Sequence, residues 1–254
     1  KGIIYRYFRA KEKSLYALSD KIGCMSQANV DYVIRNNPEI DPSKVEIFPN
    51  CIEVRDLSLS GEERKAMRIK YDIPLDKKVF VYGGNLGRPQ GVPFIMECLQ
   101  REKDNKDAFF LIVGNGTEFS KLETFMKEVD LPNARLMKRL PKEDYDRMIG
   151  ACDVGLIFLD YRFTIPNFPS RLLSYMQAKL PVLACTDPNT DIGDVIEQGG
   201  FGWQCRSNDI EGFHNRIAEI VAQEDLSGHK TAAYAYLQMH YSVERECQKL
   251  LKAE

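Results

Sequence analysis

From Val79 onward the chain repeats one pattern: a short, continuous, β-rich apolar run followed by an amphipathic segment of helical period. The runs are Val79–Tyr82, Phe109–Val113, Ala134–Met137, Val154–Leu159 and Pro181–Ala184. Apolar residues at every position, rather than at alternate ones, mark strands covered on both faces. Between the runs, Phe119, Leu122, Phe125, Met126 and Val129 form one helical stripe. Tyr145, Met148 and Ile149 form a second, and Ile210, Phe213, Ile217, Ile220 and Val221 a third. Strand–helix alternation with short connections predicts an α/β fold, a Rossmann-like open parallel sheet with helices on both faces. In such sheets ligands bind beyond the carboxyl ends of the strands, so the loops at that edge are the candidate site.

The two ends read differently. Residues 1–44 predict a helix, a short strand at Lys21–Met25 and a helix at Gln27–Asn36, a piece of an α/β layer too small to hold a core alone. Residues 45–228 hold the repeating pattern, after a short strand near Val45–Phe48 and a turn-rich linker up to Ser60. Residues 229–254 read as a terminal helical segment with Val243, Cys247, Leu250 and Leu251 on one face. The first residue is a lysine, which suggests that something precedes it.

Bulk properties narrow the function. The net charge of −2 gives no basic field to draw the chain to nucleic acid. Seven scattered cysteines lack the spacing of a zinc or redox pair and read as free thiols of a reducing cytoplasm. The three histidines share no metal-ligand spacing, so no metal and no cofactor are expected. No apolar run reaches the length of a membrane span.

Three segments could carry chemistry. Val79-Phe-Val-Tyr-Gly-Gly-Asn-Leu-Gly-Arg-Pro-Gln-Gly91 runs from a strand through a glycine-rich bend into a helix starting near Val92. Its glycines let backbone approach a phosphate, although the order is not that of a dinucleotide fingerprint, and a tight turn without ligand is equally compatible. Phe110-Leu-Ile-Val-Gly-Asn-Gly116 is a strand and a flexible turn expected at the same sheet edge. Phe163 to Met176 holds a loop stiffened by Pro166 and Pro169, then Ser170 as a helix N-cap and Arg171 in the first turn. A cation there opposes the helix dipole unless an anion is also present. Asp144 and Asp146 flank Tyr145 within an amphipathic segment, where a solvated helix face is expected rather than a metal-binding pair. Trp203, the lone tryptophan, is expected to be buried in the last strand region rather than stacked on a sugar.

Taken in order, these segments resemble the donor-binding half of family-4 retaining glycosyltransferases, which have the GT-B fold. Residues 19–36 look like the last strand and helix of the acceptor-side domain, and Lys44-Val-Glu-Ile-Phe-Pro-Asn50 like the interdomain entry. Ile112-Val-Gly-Asn-Gly116 resembles the family's Val-Gly-x-Gly turn. Leu140-Pro-Lys-Glu-Asp-Tyr145 with Ala151-Cys-Asp-Val154, and Tyr175-Met-Gln-Ala-Lys-Leu-Pro-Val182, resemble the segments before and after the donor loop. The family's paired glutamates fall at Pro166 and Ser174, with the aromatic between them kept as Phe168, and its diphosphate-binding arginine and lysine fall at Asn85 and Gln90. Gly84 to Gly91 and Pro169-Ser-Arg171 resemble a subgroup tied to bacterial surface polysaccharides.

The resemblance implies metal-independent transfer of a hexosyl or acetamidohexosyl group from a nucleoside-diphosphate sugar, UDP-sugar favoured, with retention of configuration. It implies a saccharide or lipid-linked acceptor, a cytoplasmic location peripheral to the inner membrane face, and a missing N-terminal domain toward which residues 229–254 would pack. Arg171 is then the catalytic candidate. Gly84, Asn85, Arg88, Gln90, Asn167, Phe168, Pro169 and Ser170 are expected around the diphosphate and sugar, and Gly114, Asn115, Gly116, Arg139, Leu140 and Ser174 around the nucleoside. The alternatives are a UDP-sugar epimerase and a non-catalytic nucleotide-binding module of the same fold. In the transferase reading, the fragment transfers no sugar alone.

Overall fold

The computed structural model describes residues 2–251. Lys252 to Glu254 of the terminal segment, and the Leu250 side chain expected on its apolar face, lie outside the described residues. The chain divides into two units, residues 1–50 and 51–254.

In the first unit, α1 (Ile3–Leu18) leads to β1 (Ile22–Cys24), α2 (Gln27–Asn36) and β2 (Val45–Ile47). The strands β1 and β2 pair in parallel, Ile22 opposite Val45. This pairing draws residues 45–50 into the first unit. The unit's core is small: Cys24, Val30, Ile40 and Val45, with Tyr16 of α1 packed on it.

The second unit opens with residues 51–57 laid along it, Ile52 bridging to Ser242 and the Leu57 amide donating to the Gln177 carbonyl. Then come α3 (Gly61–Lys70), β3 (Lys78–Asn85), α4 (Val92–Arg101), β4 (Ala108–Asn115), α5 (Phe119–Glu128) and β5 (Ala134–Lys138). They are followed by α6 (Lys142–Gly150), β6 (Val154–Phe158), α7 (Arg171–Gln177), β7 (Val182–Thr186), α8 (Ile192–Gln198) and β8 (Gly202–Arg206). The helices α9 (Ile210–Ala222), α10 (Ser227–His240) and α11 (Val243–Leu251) close the chain.

The helix α3 went unforeseen although its signal stands in the sequence. Ser60 accepts from the Glu63 amide, and the Glu63 carboxylate returns to the Ser60 amide, a reciprocal cap. Among the described residues the six strands form one sheet, parallel in every pairing, in the order β5-β4-β3-β6-β7-β8. Phe80, Tyr82, Phe110, Ile112 and Leu156 join one core with Ile95 and Leu99 of α4 and Phe213 and Ile217 of α9. Their strand neighbours Val79, Val81, Leu111 and Ile157 are equally sealed, as a covered second face requires.

The chain moves outward from β3 to β5, then returns to the other side of β3 and moves outward again. The connections therefore part between β3 and β6, which makes the carboxyl ends of those two strands the switch point of the sheet. The ladder between them is short: only Phe80–Val154 and Val81–Gly155 are paired, against eight pairs between β3 and β4.

Candidate functional site

Three loops leave the sheet around the switch point. The first follows β3, the second follows β4, and the third joins β6 to α7. The register sets Gly84 opposite Gly114 and Asn85 opposite Asn115, so the first two bends lie side by side. Gly84 has φ 129° and Gly116 φ 154°, and a Cβ on Gly116 would fall 2.4 Å from the Leu86 carbonyl oxygen. Only glycine allows this backbone contact. The third loop is tied to the first by the Asp160 amide, which donates to the Pro89 carbonyl at 2.9 Å. It is tied to the β7 loop by Thr190 Oγ1, which donates to the Asn167 carbonyl at 2.7 Å.

Arg171 closes the arrangement. Its guanidinium lies over the Tyr82 ring, 4.4 Å from the centroid. A Cβ on Gly84 would sit 3.3 Å from Nη2, so the bend and the cation face each other directly. Nη1 is sealed from solvent with no hydrogen-bond partner. Among the described residues no carboxylate lies within ion-pair distance of Arg171, whereas the buried Arg68 guanidinium is held by Asp153 at 2.6 Å. Burial opposes the charge of Arg171, and Tyr82, Tyr175 and Tyr145 more than offset this, so its pKa stands above the ordinary arginine value.

Those tyrosines were not expected at the site. Tyr175 lies four residues after Arg171 on α7, a spacing that places both on one helix face. Its hydroxyl accepts from the Gly83 amide at 3.1 Å and lies 3.2 Å from the Val81 carbonyl and 3.1 Å from that of Leu156. It stitches β3 to β6 where the ladder between them has ended. Burial pushes its pKa up to about 12. The Tyr145 hydroxyl from α6 occupies the space a Cβ on Gly83 would need, 1.7 Å away, and burial pushes that phenol up as well. Gly155 is bare for the same reason, its missing Cβ falling 2.5 Å from the Tyr175 ring. The i, i+4 spacing from Arg171 was the signal that would have found Tyr175.

The other expected residues differ in where the fold puts them. Gly84, Asn85, Gly114, Asn115, Gly116, Arg139 and Leu140 lie at the carboxyl edge of β3, β4 and β5, Lys138 being paired with Gly114. Arg88 and Arg139 are exposed, and Ser174 is half-buried three residues along α7 from Arg171. Gln90 is turned inward: its Oε1 accepts from the Gly87 amide at 3.1 Å and lies 3.4 Å from Asn85 Nδ2, so that oxygen braces the bend. Phe168 is buried against Tyr241, with ring centroids 6.2 Å apart. Asn167 and Pro169 flank it, half-buried. Ser170 stands at the N-cap position in helical conformation and its side chain makes no capping bond, so the expected serine cap is absent. With α7 only seven residues long, the positive charge at this corner comes from the Arg171 side chain.

Away from these loops, Asp144, 41% exposed, pairs with Lys70, and Asp146, 17% exposed, pairs with Lys142. Trp203 is buried in β8, its indole N–H donating to Glu219.

Residues 63–238 match the family model described as Glycosyl transferases group 1. The chain belongs to this family. This glycosyltransferase domain is 32% identical over 166 residues to WbjE of Pseudomonas aeruginosa, described as a probable glycosyltransferase, a match covering 65% of this chain and 41% of the relative. It superposes on Anabaena HepE, crystallised with UDP and glucose, with a TM-score of 0.77 at 15% identity, covering 92% of this chain and 62% of that one. It superposes on WaaG, a glycosyltransferase involved in lipopolysaccharide biosynthesis, with a TM-score of 0.71 at 17% identity, covering 98% and 70%. These solved structures carry the GT-B fold. The glycosyltransferase domain spans less than half the length of the curated relatives it matches.

Proposed function

We propose that this chain is the donor-binding part of a retaining glycosyltransferase acting on a nucleoside-diphosphate sugar, with a uridine nucleotide as the favoured donor. One observation carries the reading. Arg171, partly buried with its Nη1 sealed from solvent and with no carboxylate partner, faces a glycine bend at the sheet's switch point, and a charge withdrawn from water requires a counter-charge. A diphosphate supplies it. HepE is crystallised with UDP, which supports the choice of base. The nucleoside would lie between Gly114–Gly116 and Arg139–Leu140, and the diphosphate between Gly84–Asn85 and Arg171.

During transfer, negative charge grows on the departing diphosphate. Donors already aimed at those oxygens lower the barrier without reorganising. Arg171 is held for that task by Tyr82 beneath it, with Arg88 a second cation on the exposed side of the first loop. The acceptor is a saccharide or lipid-linked glycan at the cytoplasmic membrane face, in surface polysaccharide synthesis, as the similarity to WbjE and WaaG supports. Residues 1–44 would belong to the tail of the acceptor-side domain, and residues 229–254 would pack toward the part of that domain missing here. The fragment alone is expected to bind donor and transfer nothing.

Isothermal titration with UDP, GDP, UDP-glucose and GDP-mannose tests this. Saturable heat with a uridine nucleotide, abolished in Arg171→Ala, is the expected outcome. No heat with any of the four would overturn the donor-binding reading in favour of a partner-binding module.

A further inference from the structure

The seven cysteines are scattered along the sequence, yet the fold brings two of them into register. Cys185 of β7 stands directly opposite Cys205 of β8. Opposed residues on neighbouring strands point to the same face of a sheet, and both side chains belong to the core that α4 and α9 cover. Their Sγ atoms lie 3.3 Å apart. Neighbouring strands run about 4.8 Å apart, within the Cα separation of about 4.4–6.8 Å that a disulfide spans. To form a bond of about 2.05 Å the sulfurs need to close by only about 1.2 Å, a shift within reach of side-chain rotation.

The pair differs from an isolated core thiol. Cys152, equally sealed, donates to the Met148 carbonyl at 3.5 Å, whereas the Cys205 thiol donates to the Cys185 sulfur. The two sulfurs are also unequal. The strand β8 is the edge of the sheet and its Cys205 is half-buried, while Cys185 on the inner strand is sealed. Burial pushes the Cys185 thiol well above its ordinary value, which makes it a poor first nucleophile. A diffusing oxidant meets Cys205 first, and Cys185 is already in place to resolve the product. Cys98 of α4 is buried in the same core, but no strand register sets it opposite either sulfur.

We infer that Cys185 and Cys205 are a dithiol site that a hydroperoxide closes to a cross-strand disulfide. The Cys205 thiolate attacks one peroxide oxygen, the O–O bond breaks, and Cys205 becomes a sulfenic acid. The departing hydroxide takes the Cys205 proton and leaves as water. The Cys185 sulfur then attacks the sulfenic sulfur, and the displaced hydroxide takes the Cys185 proton and leaves as a second water. Two electrons pass from the two thiols to the peroxide, and a thiol reductant returns them. In a reducing compartment the pair rests as thiols and closes only while oxidant is in excess.

Tryptic mapping tests this directly, because residues 180–206 contain no lysine or arginine before Arg206 and hold these two cysteines alone. The folded protein is treated with hydrogen peroxide, denatured, alkylated with iodoacetamide and digested. The 180–206 peptide should appear lighter by two hydrogen atoms and free of alkyl groups. Dithiothreitol added before alkylation should restore both sites. Both cysteines alkylated after the exposed Cys247 has been oxidised overturns the inference. So does a bond from either one to Cys98, or a sulfinic acid at Cys205 with no bond formed. In Cys185→Ala, shown to be folded by circular dichroism, dimedone present during oxidation should label Cys205, and an unlabelled Cys205 overturns the order of the steps. The mapping of the unsubstituted protein decides the site even where that variant does not fold.

Discussion

Arg171 is the residue on which the site turns, and its surroundings define what a substitution there should do. In the complete enzyme, Arg171→Ala should lower kcat/KM by an amount corresponding to about 2–4 kcal/mol, comparable to losing one preorganised transition-state donor. Steady-state kinetics check this, and a change under threefold would show that the diphosphate lies elsewhere. Gly84→Ala attacks the same contact from the other side. Its φ of 129° disfavours any side chain, and the new methyl would press on Nη2. Donor affinity should fall while the far-UV spectrum stays unchanged, as titration of the folded variant would show. The glycines, the rigid loop and Arg171 were legible in the sequence because each is a local signal. The roles of Phe168 and Gln90 were not. Phe168 meets Tyr241, a partner far along the chain, and the inward turn of Gln90 depends on the conformation of a bend that composition leaves open.

At the scale of elements, the expected strands and the helix following the first glycine bend formed nearly where periodicity put them, since a buried parallel strand writes itself as an unbroken apolar run. The order of the strands was not written there. The parting of β3 from β6 depends on Tyr175, whose hydroxyl takes over from backbone pairing. Tyr175→Phe keeps the ring that fills the hollow at Gly155 but leaves the buried Gly83 amide without its acceptor. A loss of about 1–3 kcal/mol is expected, the cost of one unsatisfied buried group, and urea unfolding of the variant measures it. The cap of α3 gives a smaller effect: Ser60→Ala should cost about 1 kcal/mol, read the same way.

For the whole second unit, one buried ion cluster joins distant parts of the chain. Asp153 accepts from Arg64, from Arg68 and from the Val79 amide, tying α3 to the start of β3 and to β6. Burial works against its charge, but Arg64, the amide and Arg68 outweigh burial and hold the carboxyl below its usual range. A carboxyl whose folded pKa is depressed contributes stability that is present above its unfolded value near 3.9. That stability is lost as pH falls through the folded value. Asp56, held near 2 by Lys179 and Ser58, acts in the same direction. Unfolding midpoints should thus fall steeply below about pH 4, and Asp153→Ala should cost about 3–5 kcal/mol at neutral pH because Arg68 is left buried and unpaired. Thermal melts across pH check both. The contact between Phe168 and Tyr241 reaches further. A chain cut before Ser227 would retain all six sheet strands and each residue proposed to touch the donor. Even so, the ring that Phe168 packs against would be gone, and the last helices would prove to be foundations rather than trim.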